Sequence, residues 1–419
     1  MYARVSHWIA SSECTVQTGV LLGHCLHTGQ VEGIENVSIA DDRGHTLVAN
    51  LYALVTGRPM ALRDLVVANM AINAAALFAA ALTLFLLGWK VSALLLLLAP
   101  KHVVPGPMPG ADAPATHMAA FLFALVATLL IARIPIARSE RAGVRWLALI
   151  VVASVCLAWA TLLRQPYGQG GFLVALLVLA LRWRQSARRG EAFLGVVPWR
   201  IGVAAAALTL ATFYATSGLF ALRGVLYDVA RSNDAIESHG ISHNLYMGLA
   251  VPGNPWGIRW DDSAALSHVG EADRVQYGSD DHYRSLRRGY FQIMLSDPLT
   301  IAQIYSGKLL ESVIEVSRWS KDGHKVSLAV AFSLLLIAVP AGRRRKPSME
   351  EITMLVVVWA SFGVVLLQGV LAMPWHQFIS PGKFAAICGF AVLSECGFRR
   401  LVREPIGNAA APAPAAKGG

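Results

Sequence analysis

The sequence predicts an all-α integral membrane protein with about nine transmembrane helices and one long extracytoplasmic loop domain. Three observations predict it. The 419 residues are 55% hydrophobic and only 15% charged, against about 25% charged in soluble domains, and mean hydropathy is +0.51. Apolar runs able to cross a hydrocarbon core of about 30 Å recur along the chain. Basic residues gather in the short connections between those runs, on a single side. The net charge of +10, from 36 basic and 26 acidic residues, follows from that bias and gives no reason to expect nucleic acid.

Spans are read at 66–88, 91–104, 118–136, 145–163, 170–183, 200–221, 326–341, 352–372 and 379–397. The second and fifth are short, as for helices kinked or sunk inside a bundle. Arg138, Arg141 and Arg145 share one connection, and Arg182, Arg184, Arg188 and Arg189 share another. Arg343, Arg344, Arg345 and Lys346 form a third cluster, and Arg399, Arg400 and Arg403 lie in the tail. Counting spans puts all four clusters on one side, which the positive-inside rule makes the cytoplasm.

The expected organisation follows. Residues 1–65 form an extracytoplasmic N-terminal segment with a juxtamembrane helix. Residues 66–221 are the first part of the bundle, 222–325 the extracytoplasmic loop domain, and 326–398 the last part of the bundle. Residues 399–419 are a cytoplasmic tail, rich in Ala, Pro and Gly after Gly407 and of disordered composition. The long loop holds 13 of the 26 acidic residues, so binding or chemistry is to be sought there and at the neighbouring span ends.

The start of the chain is unusual. No signal peptide is legible, and residues 16–23 are mildly apolar but too short to cross. A truncated start or a lost first helix is the expectation. Cys14 and Cys25 would pair if this end is extracytoplasmic, but spacing alone does not decide pairing. Cys156, Cys388 and Cys396 lie in apolar runs and read as buried thiols. No CxxC or Cys/His cluster suggests a metal.

Several groups could carry chemistry. Asp41 and Asp42 open Asp-Asp-Arg-Gly-His, ahead of an apolar face at Leu47, Val48, Leu51, Tyr52, Leu54 and Val55 that ends at Gly57–Pro59. That face reads as an amphipathic helix on the outer membrane surface. The carboxylates either cap it or act as a general base at the membrane boundary. Asp112 and His117 precede the third span, as helix-start residues or as a second polar group facing the first. Arg164 ends the fourth span on the outer side, where it either snorkels to headgroups or binds a phosphate with its planar fork. Lys383, just inside the last span after Pro381, invites the same two readings. His376, in the last outer turn, is structural or contacts a phosphate or a proton.

In the long loop, Ser-His-Asn-Leu-Tyr-Met-Gly-Leu at 242–249 and Asn-Pro-Trp-Gly-Ile-Arg-Trp-Asp-Asp at 254–262 mix aromatics with polar groups. His243, Tyr246, Trp256, Trp260, Asp261 and Asp262 would suit a saccharide surface. The alternative is a compact loop whose tryptophans rest on the membrane interface. Two helices follow. One starts near Ser279, and the other starts at Asp297-Pro298, an N-cap followed by proline at the first helical position. Arg284, Arg287 and Arg288 read as a solvated or headgroup-facing stripe. No Walker loop, dinucleotide fingerprint, HExxH or nucleophile elbow occurs, so nucleotide-driven chemistry finds no support.

These pieces, in this order and on one side, resemble the polytopic GT-C glycosyltransferases, particularly bacterial mannosyltransferase-like members. The resemblance rests on Asp41-Asp42 before a juxtamembrane helix, Asp112 in the second outer loop, and Leu-Leu-Arg-Gln-Pro at 162–166. It rests also on His243-Asn244-Leu245-Tyr246 with Gly248-Leu249, Trp260-Asp261-Asp262, Tyr290-Phe291 with Asp297-Pro298 and Lys308, and Pro374, Phe378 and Pro381. It covers most of residues 35–397.

The resemblance implies a bacterial inner-membrane enzyme that takes a sugar from a polyprenyl-phosphate donor and works on the extracytoplasmic face, with membrane lipids as its other contacts. Asp41 or Asp42 would deprotonate an acceptor hydroxyl, which attacks the anomeric carbon with inversion. Arg164, with Lys383 or His376, would hold the departing lipid phosphate. Asp112, with His117, would orient the acceptor or a divalent cation; no other cofactor is implied. Family members begin with a cytoplasmic end and a first helix leading into the acidic loop. The expectation here is that this helix is missing or degenerate, which would impair activity. Two other classes compete: a non-catalytic carrier or flippase for a lipid-linked saccharide, and a degenerate assembly partner. A transporter places ionisable groups near the midplane, whereas these candidates collect at the outer boundary.

Overall fold

The computed structural model describes residues 2–34, 43–98, 113–133, 140–188, 196–229, 241–260, 279–317, 348–371 and 376–402. The chain opens with helix α1 (Tyr2–Thr18), a short antiparallel hairpin of β1 (Gly23–Cys25) and β2 (Val31–Gly33), and α2 (Arg43–Thr56). The bundle begins with α3 (Leu62–Leu86), α4 (Lys90–Leu98), α5 (Ala113–Ala132), α6 (Glu140–Leu163) and α7 (Gln165–Arg188). It continues with α8 (Val196–Phe213) and α9 (Ala215–Tyr227). The loop region supplies α10 (Ile241–Gly248), α11 (Asp280–Ser296) and α12 (Pro298–Ser317), and α13 (Met349–Leu371) and α14 (His376–Val402) return to the bundle.

Every expected span that falls on described residues coincides with a helix or a helix pair. The expected span at 326–341 lies outside them. Three helices are long and apolar enough to cross a membrane among the described residues, within α3, α6 and α13, and a bent pair makes a fourth. The bend is a departure from the sequence reading. The run at 200–221 is two helices, α8 and α9, meeting at Tyr214 at 66°. The fifth run is longer than expected, since α7 has 24 residues.

The faces of these helices explain the environment. On α6, Val144, Leu147, Val151 and Val155 recur at helical spacing, each more than half exposed. Val67, Met70, Phe78 and Phe85 do the same on α3. In water, apolar stripes of this extent would drive association. Against acyl chains they cost nothing, and the bundle is embedded in a membrane. The central helix is α5, where Met118 to Leu122, Leu125 to Leu129 and Ile131 are all buried. A helix that is apolar all round belongs at the middle of such a bundle.

Small residues on α7 bring its first turns against three neighbours. A Cβ at Gly168 would fall 2.6 Å from the Thr161 Cα, one at Gly170 2.1 Å from Val364 on α13, and one at Gly171 2.7 Å from the Ala124 Cβ on α5. Backbones approach closely only where side chains are absent. This fixes the α6–α7 turn, which carries Arg164, against the bundle.

The opposite end of the bundle is tied by a different device. The buried Glu395 carboxylate on α14 accepts from the Ser92 backbone N–H at 2.9 Å and from Ser92 Oγ at 2.8 Å, at the first turn of α4. Arg399 donates to Glu395 at 3.1 Å, lies 4.1 Å over the Trp89 ring and donates to the Gly88 carbonyl. The carboxylate therefore satisfies an orphan donor at a helix start and a cation at once. Glu395→Ala is expected to lower stability by about 2–3 kcal/mol, read as a lower unfolding midpoint in detergent, with Glu395→Gln intermediate. An unchanged midpoint for Glu395→Ala would contradict the clamp.

Candidate functional site

The N-terminal segment folds into a small module that holds the start of α2 against the bundle. Buried polar groups build it together with a small apolar cluster of Trp8, Ala49, Met60 and Leu65. Asn50, fully buried on α2, accepts from the Leu22 backbone N–H at 2.8 Å and donates to Ser11 Oγ at 3.1 Å. Ser11 donates to the Gly23 carbonyl at 2.8 Å, and Thr15 to the Val20 carbonyl at 2.8 Å. Ser12 accepts from the Met60 N–H at 3.0 Å, which ties α1 to the start of α3. Cys14 and Cys25 form a disulfide, with Cα atoms 5.2 Å apart. Leu22 has φ +56°, a left-handed conformation unusual for a non-glycine residue. Its N–H is held by Asn50, and its carbonyl accepts from Arg223 Nη1 at 3.0 Å.

The first turn of α2 lands on the last turn of α6. A Cβ at Gly44 would lie 2.9 Å from both the carbon and the oxygen of the Leu162 carbonyl, so only glycine permits this approach. Gly44 therefore sits against the two residues that precede Arg164 in the chain. Next in sequence to Gly44, His45 is buried and stacks on Trp8 with ring centres 4.9 Å apart. Asp41 and Asp42, which precede Arg43 in sequence, lie outside the described residues, as does Asp112.

Arg164 is the single residue between α6 and α7. Its backbone N–H donates to the Ala160 carbonyl at 2.9 Å, and its carbonyl accepts from the Tyr167 N–H at 3.1 Å. The side chain is half-buried. One turn on, Tyr167 is buried with its ring centre 5.6 Å from that of His117, at the start of α5. His117 is therefore joined to the Arg164 turn through Tyr167, and Gly44 joins the same turn from the other direction. His117 and Arg164 thus share Tyr167 as a neighbour, and the helix that Asp41 and Asp42 precede in sequence packs just before Arg164.

A second group of candidates lies around the loop helices. His243 on α10 and His282 on α11 are both buried and stack with ring centres 5.8 Å apart. Tyr246 is buried in an apolar core with Met247, Leu249, Ile258, Leu286, Tyr290 and Ile301, and Trp256 and Trp260 pack against it half-buried. Tyr246 is thus core, and the tryptophans keep only part of their faces outward. Asn254 shapes the turn beneath them. It accepts from the Trp256 and Ile258 N–H groups at 3.0 and 2.9 Å and donates to the Ile258 carbonyl at 2.7 Å. Asp261 and Asp262 lie outside the described residues. Lys383 on α14 is buried and pairs with Glu315 on α12 at 3.9 Å. His376 is the first residue of α14; its side chain lies outside the description.

The sequence reading assigned no role to Lys308. It is fully buried on α12 and donates to the Gly248 carbonyl at the end of α10. A Cβ at Gly248 would lie 2.3 Å from the Leu371 carbonyl oxygen, so α10, α12 and the end of α13 converge here. α12 falls in the loop region, outside the expected spans. Burial pushes the Lys308 ammonium down from 10.5 to about 8, with Glu311 pulling the other way. Between those two values the unfolded chain holds the proton more tightly, so folding gains stability as pH rises through that window. Wild type should therefore gain stability relative to Lys308→Met between about pH 8 and 10.5, read as the difference in their unfolding midpoints. Parallel pH curves for the two proteins would exclude this origin.

Three further residues were missed. Arg43, Phe220 and Arg223 are each more than nine-tenths buried. The Arg43 guanidinium lies 4.7 Å from the centre of the Phe220 ring, and that of Arg223 lies 5.2 Å from it. Arg43 lies in the Asp-Asp-Arg-Gly-His motif beside two carboxylates, a local charge pattern that hides its contact with a distant ring. Arg223 follows an apolar run that read as a single span, so its place one helix further on was hidden.

No family model matches this chain, no curated protein matches it in sequence, and no solved structure matches it in fold.

Proposed function

We propose that this protein is a membrane glycosyltransferase. It moves a sugar from a polyprenyl-phosphate donor to an acceptor hydroxyl, at the extracytoplasmic end of a bundle of about nine spans in a bacterial inner membrane. Asp41 or Asp42 takes the acceptor proton. The acceptor oxygen bonds to the anomeric carbon, the bond from that carbon to the phosphate oxygen breaks, and the polyprenyl phosphate leaves with its electron pair. Arg164 stabilises the charge that develops on the phosphate. His117 and Asp112 lie on the acceptor side, and the 241–260 region lies over the sugar.

The observation that carries this reading is the contact between Gly44 and the Leu162 carbonyl. It brings the first turn of the helix that follows Asp41-Asp42 in sequence against the residues just before Arg164, which supports the reading of a base and a phosphate-binding cation in one site. The Cys14–Cys25 disulfide supports the outer location of that end, since disulfides persist in oxidising compartments. The test is transfer from radiolabelled polyprenyl-phosphate sugar in membranes containing the protein. Label should appear in an envelope acceptor with release of polyprenyl phosphate, and no transfer from any such donor would overturn the proposal.

One observation favours the carrier reading. The 66° break between α8 and α9 is a feature of transporters with discontinuous helices. The same membranes separate the two: a carrier moves the labelled lipid between leaflets and leaves the sugar attached.

A further inference from the structure

Helix α11 has two faces that divide cleanly. His282, Ser285, Leu286, Gly289 and Tyr290 are buried. The opposite face is exposed, and it changes character along the axis instead of around it. Asp280 and Asp281 lie in the first turn, then come Arg284, Arg287 and Arg288, and beyond them Phe291 and Leu295. From Arg284 to Leu295 these residues recur at the spacing of a single helical stripe. Arg284 pairs with Asp281 at 3.3 Å, an exposed ion pair of little strength. Arg287 and Arg288 pair with no carboxylate among the described residues. Asp297 alone separates α11 from α12, and the apolar stretch crosses it. Leu295 is 79% and Leu299 69% exposed, on either side of that elbow.

The order of these groups says what covers them. Carboxylates, then guanidiniums, then hydrocarbon is the sequence of environments met on passing from water through lipid headgroups into acyl chains. The dimensions agree. At 1.5 Å per residue the path from Arg288 to Leu295 is about 10 Å, and the polar layer of one leaflet is roughly 5–8 Å deep. With Arg288 at the phosphates, Leu295 lies among the chains. The elbow is also tied to the bundle, because Glu315 at the far end of α12 pairs with Lys383 on α14 at 3.9 Å. Near that end Leu310 and Val313 are exposed as well, at 62 and 46%. Two guanidiniums without carboxylate partners select lipids of net negative charge. We infer that the elbow of α11 and α12 docks on the membrane, with Phe291, Leu295 and Leu299 in the acyl layer and Arg287 and Arg288 on the phosphates of anionic phospholipids. The inference goes beyond the proposed activity and holds whether or not sugar is transferred.

The experiment uses the full chain in phosphatidylcholine vesicles that contain some phosphatidylglycerol. With Cys156, Cys388 and Cys396 replaced by Ala, a fluorophore is attached at Leu295→Cys, Leu299→Cys or Asp280→Cys. Brominated acyl chains should quench the first two and aqueous iodide should not, and the third should behave in the opposite way. In parallel, phosphatidylglycerol and phosphatidylcholine, each with a diazirine in the headgroup, are photolysed and the label on α11 is mapped. Wild type should take more label from phosphatidylglycerol, and Arg287→Gln and Arg288→Gln should each lower that ratio about fivefold. Iodide reaching both Leu295→Cys and Leu299→Cys would overturn the inference and leave the face to a soluble partner or a second copy. Equal labelling of wild type by the two lipids, or an unchanged ratio in a variant with a wild-type unfolding midpoint, would overturn it too. So would loss of the ratio in inorganic phosphate but not in chloride of equal ionic strength, which assigns the arginines to a soluble anion. Should the glutamine variants fail to fold, the wild-type ratio and the quenching decide. The expected labelling and quenching in a protein that transfers no sugar would leave this inference standing and remove only the proposed activity.

Discussion

Replacing both Asp41 and Asp42 with Asn is expected to lower sugar transfer by about 10²- to 10⁴-fold, the range that general-base catalysis contributes. The amide keeps the size and the hydrogen-bonding capacity of a helix cap but cannot accept the acceptor proton. Folding should therefore survive, because Asn50, Ser11, Ser12 and Thr15 hold the described part of the module around α2. The single variants should differ, the larger loss marking the base and the smaller one the cap. Donor binding should change little, since a base acts on the acceptor. Transfer retained in full by the double variant, at an unchanged unfolding midpoint, would remove the aspartates from the chemistry.

The second large effect is expected at Arg164. Arg164→Met should reduce the rate of transfer by about 10²- to 10³-fold, the loss seen when one preorganised donor is taken from a developing anion. Arg164→Lys should recover only part of it, because a point charge does not reproduce the planar fork. The position favours the assignment. Arg164 is fixed as the one residue between α6 and α7 by backbone bonds to Ala160 and Tyr167, and α7 is pressed into place through Gly168, Gly170 and Gly171. A snorkelling arginine has no need of such a fixed turn. Wild-type rates in Arg164→Met would return this residue to the headgroup reading.

Much of the helical plan was legible because its signals are local. Ser279 caps α11 by accepting from the His282 N–H at 3.2 Å, and Asp297 caps α12 by accepting from the Thr300 N–H at 3.1 Å, both at the expected positions. The amphipathic stretch from Leu47 to Val55 is helical within α2. The N-terminal module was not legible. On α1 the buried face mixes Ser11, Ser12 and Thr15 with Trp8 and Cys14, so no clean apolar period marks the helix. The pairing of Cys14 with Cys25 across the hairpin, and the left-handed Leu22 before it, are features that no spacing rule anticipates. The bend at Tyr214 has neither proline nor glycine at it. The burial of Phe220 and Arg223 beside exposed Leu222, Val225 and Leu226 emerges only in the fold.

The candidate site was legible in part for a related reason. Arg164 and His117 stood out as polar groups at apolar span ends, and they do share a neighbour in Tyr167. Tyr246 stood out as an aromatic in a polar loop, yet it fills the core of that loop. An aromatic residue signals burial and recognition equally, and only packing separates them. Arg43 and Arg223 are 180 positions apart, so their meeting at Phe220 belongs to the tertiary fold alone.

The most direct measurement is photocrosslinking of the membrane-embedded protein with a polyprenyl phosphate carrying a diazirine beside the phosphate, followed by peptide mapping. The account predicts label around Arg43–His45, His117 and Leu162–Tyr167. Label at the opposite end of the bundle, around Gly88–Ser92 and Glu395–Arg399, would contradict it.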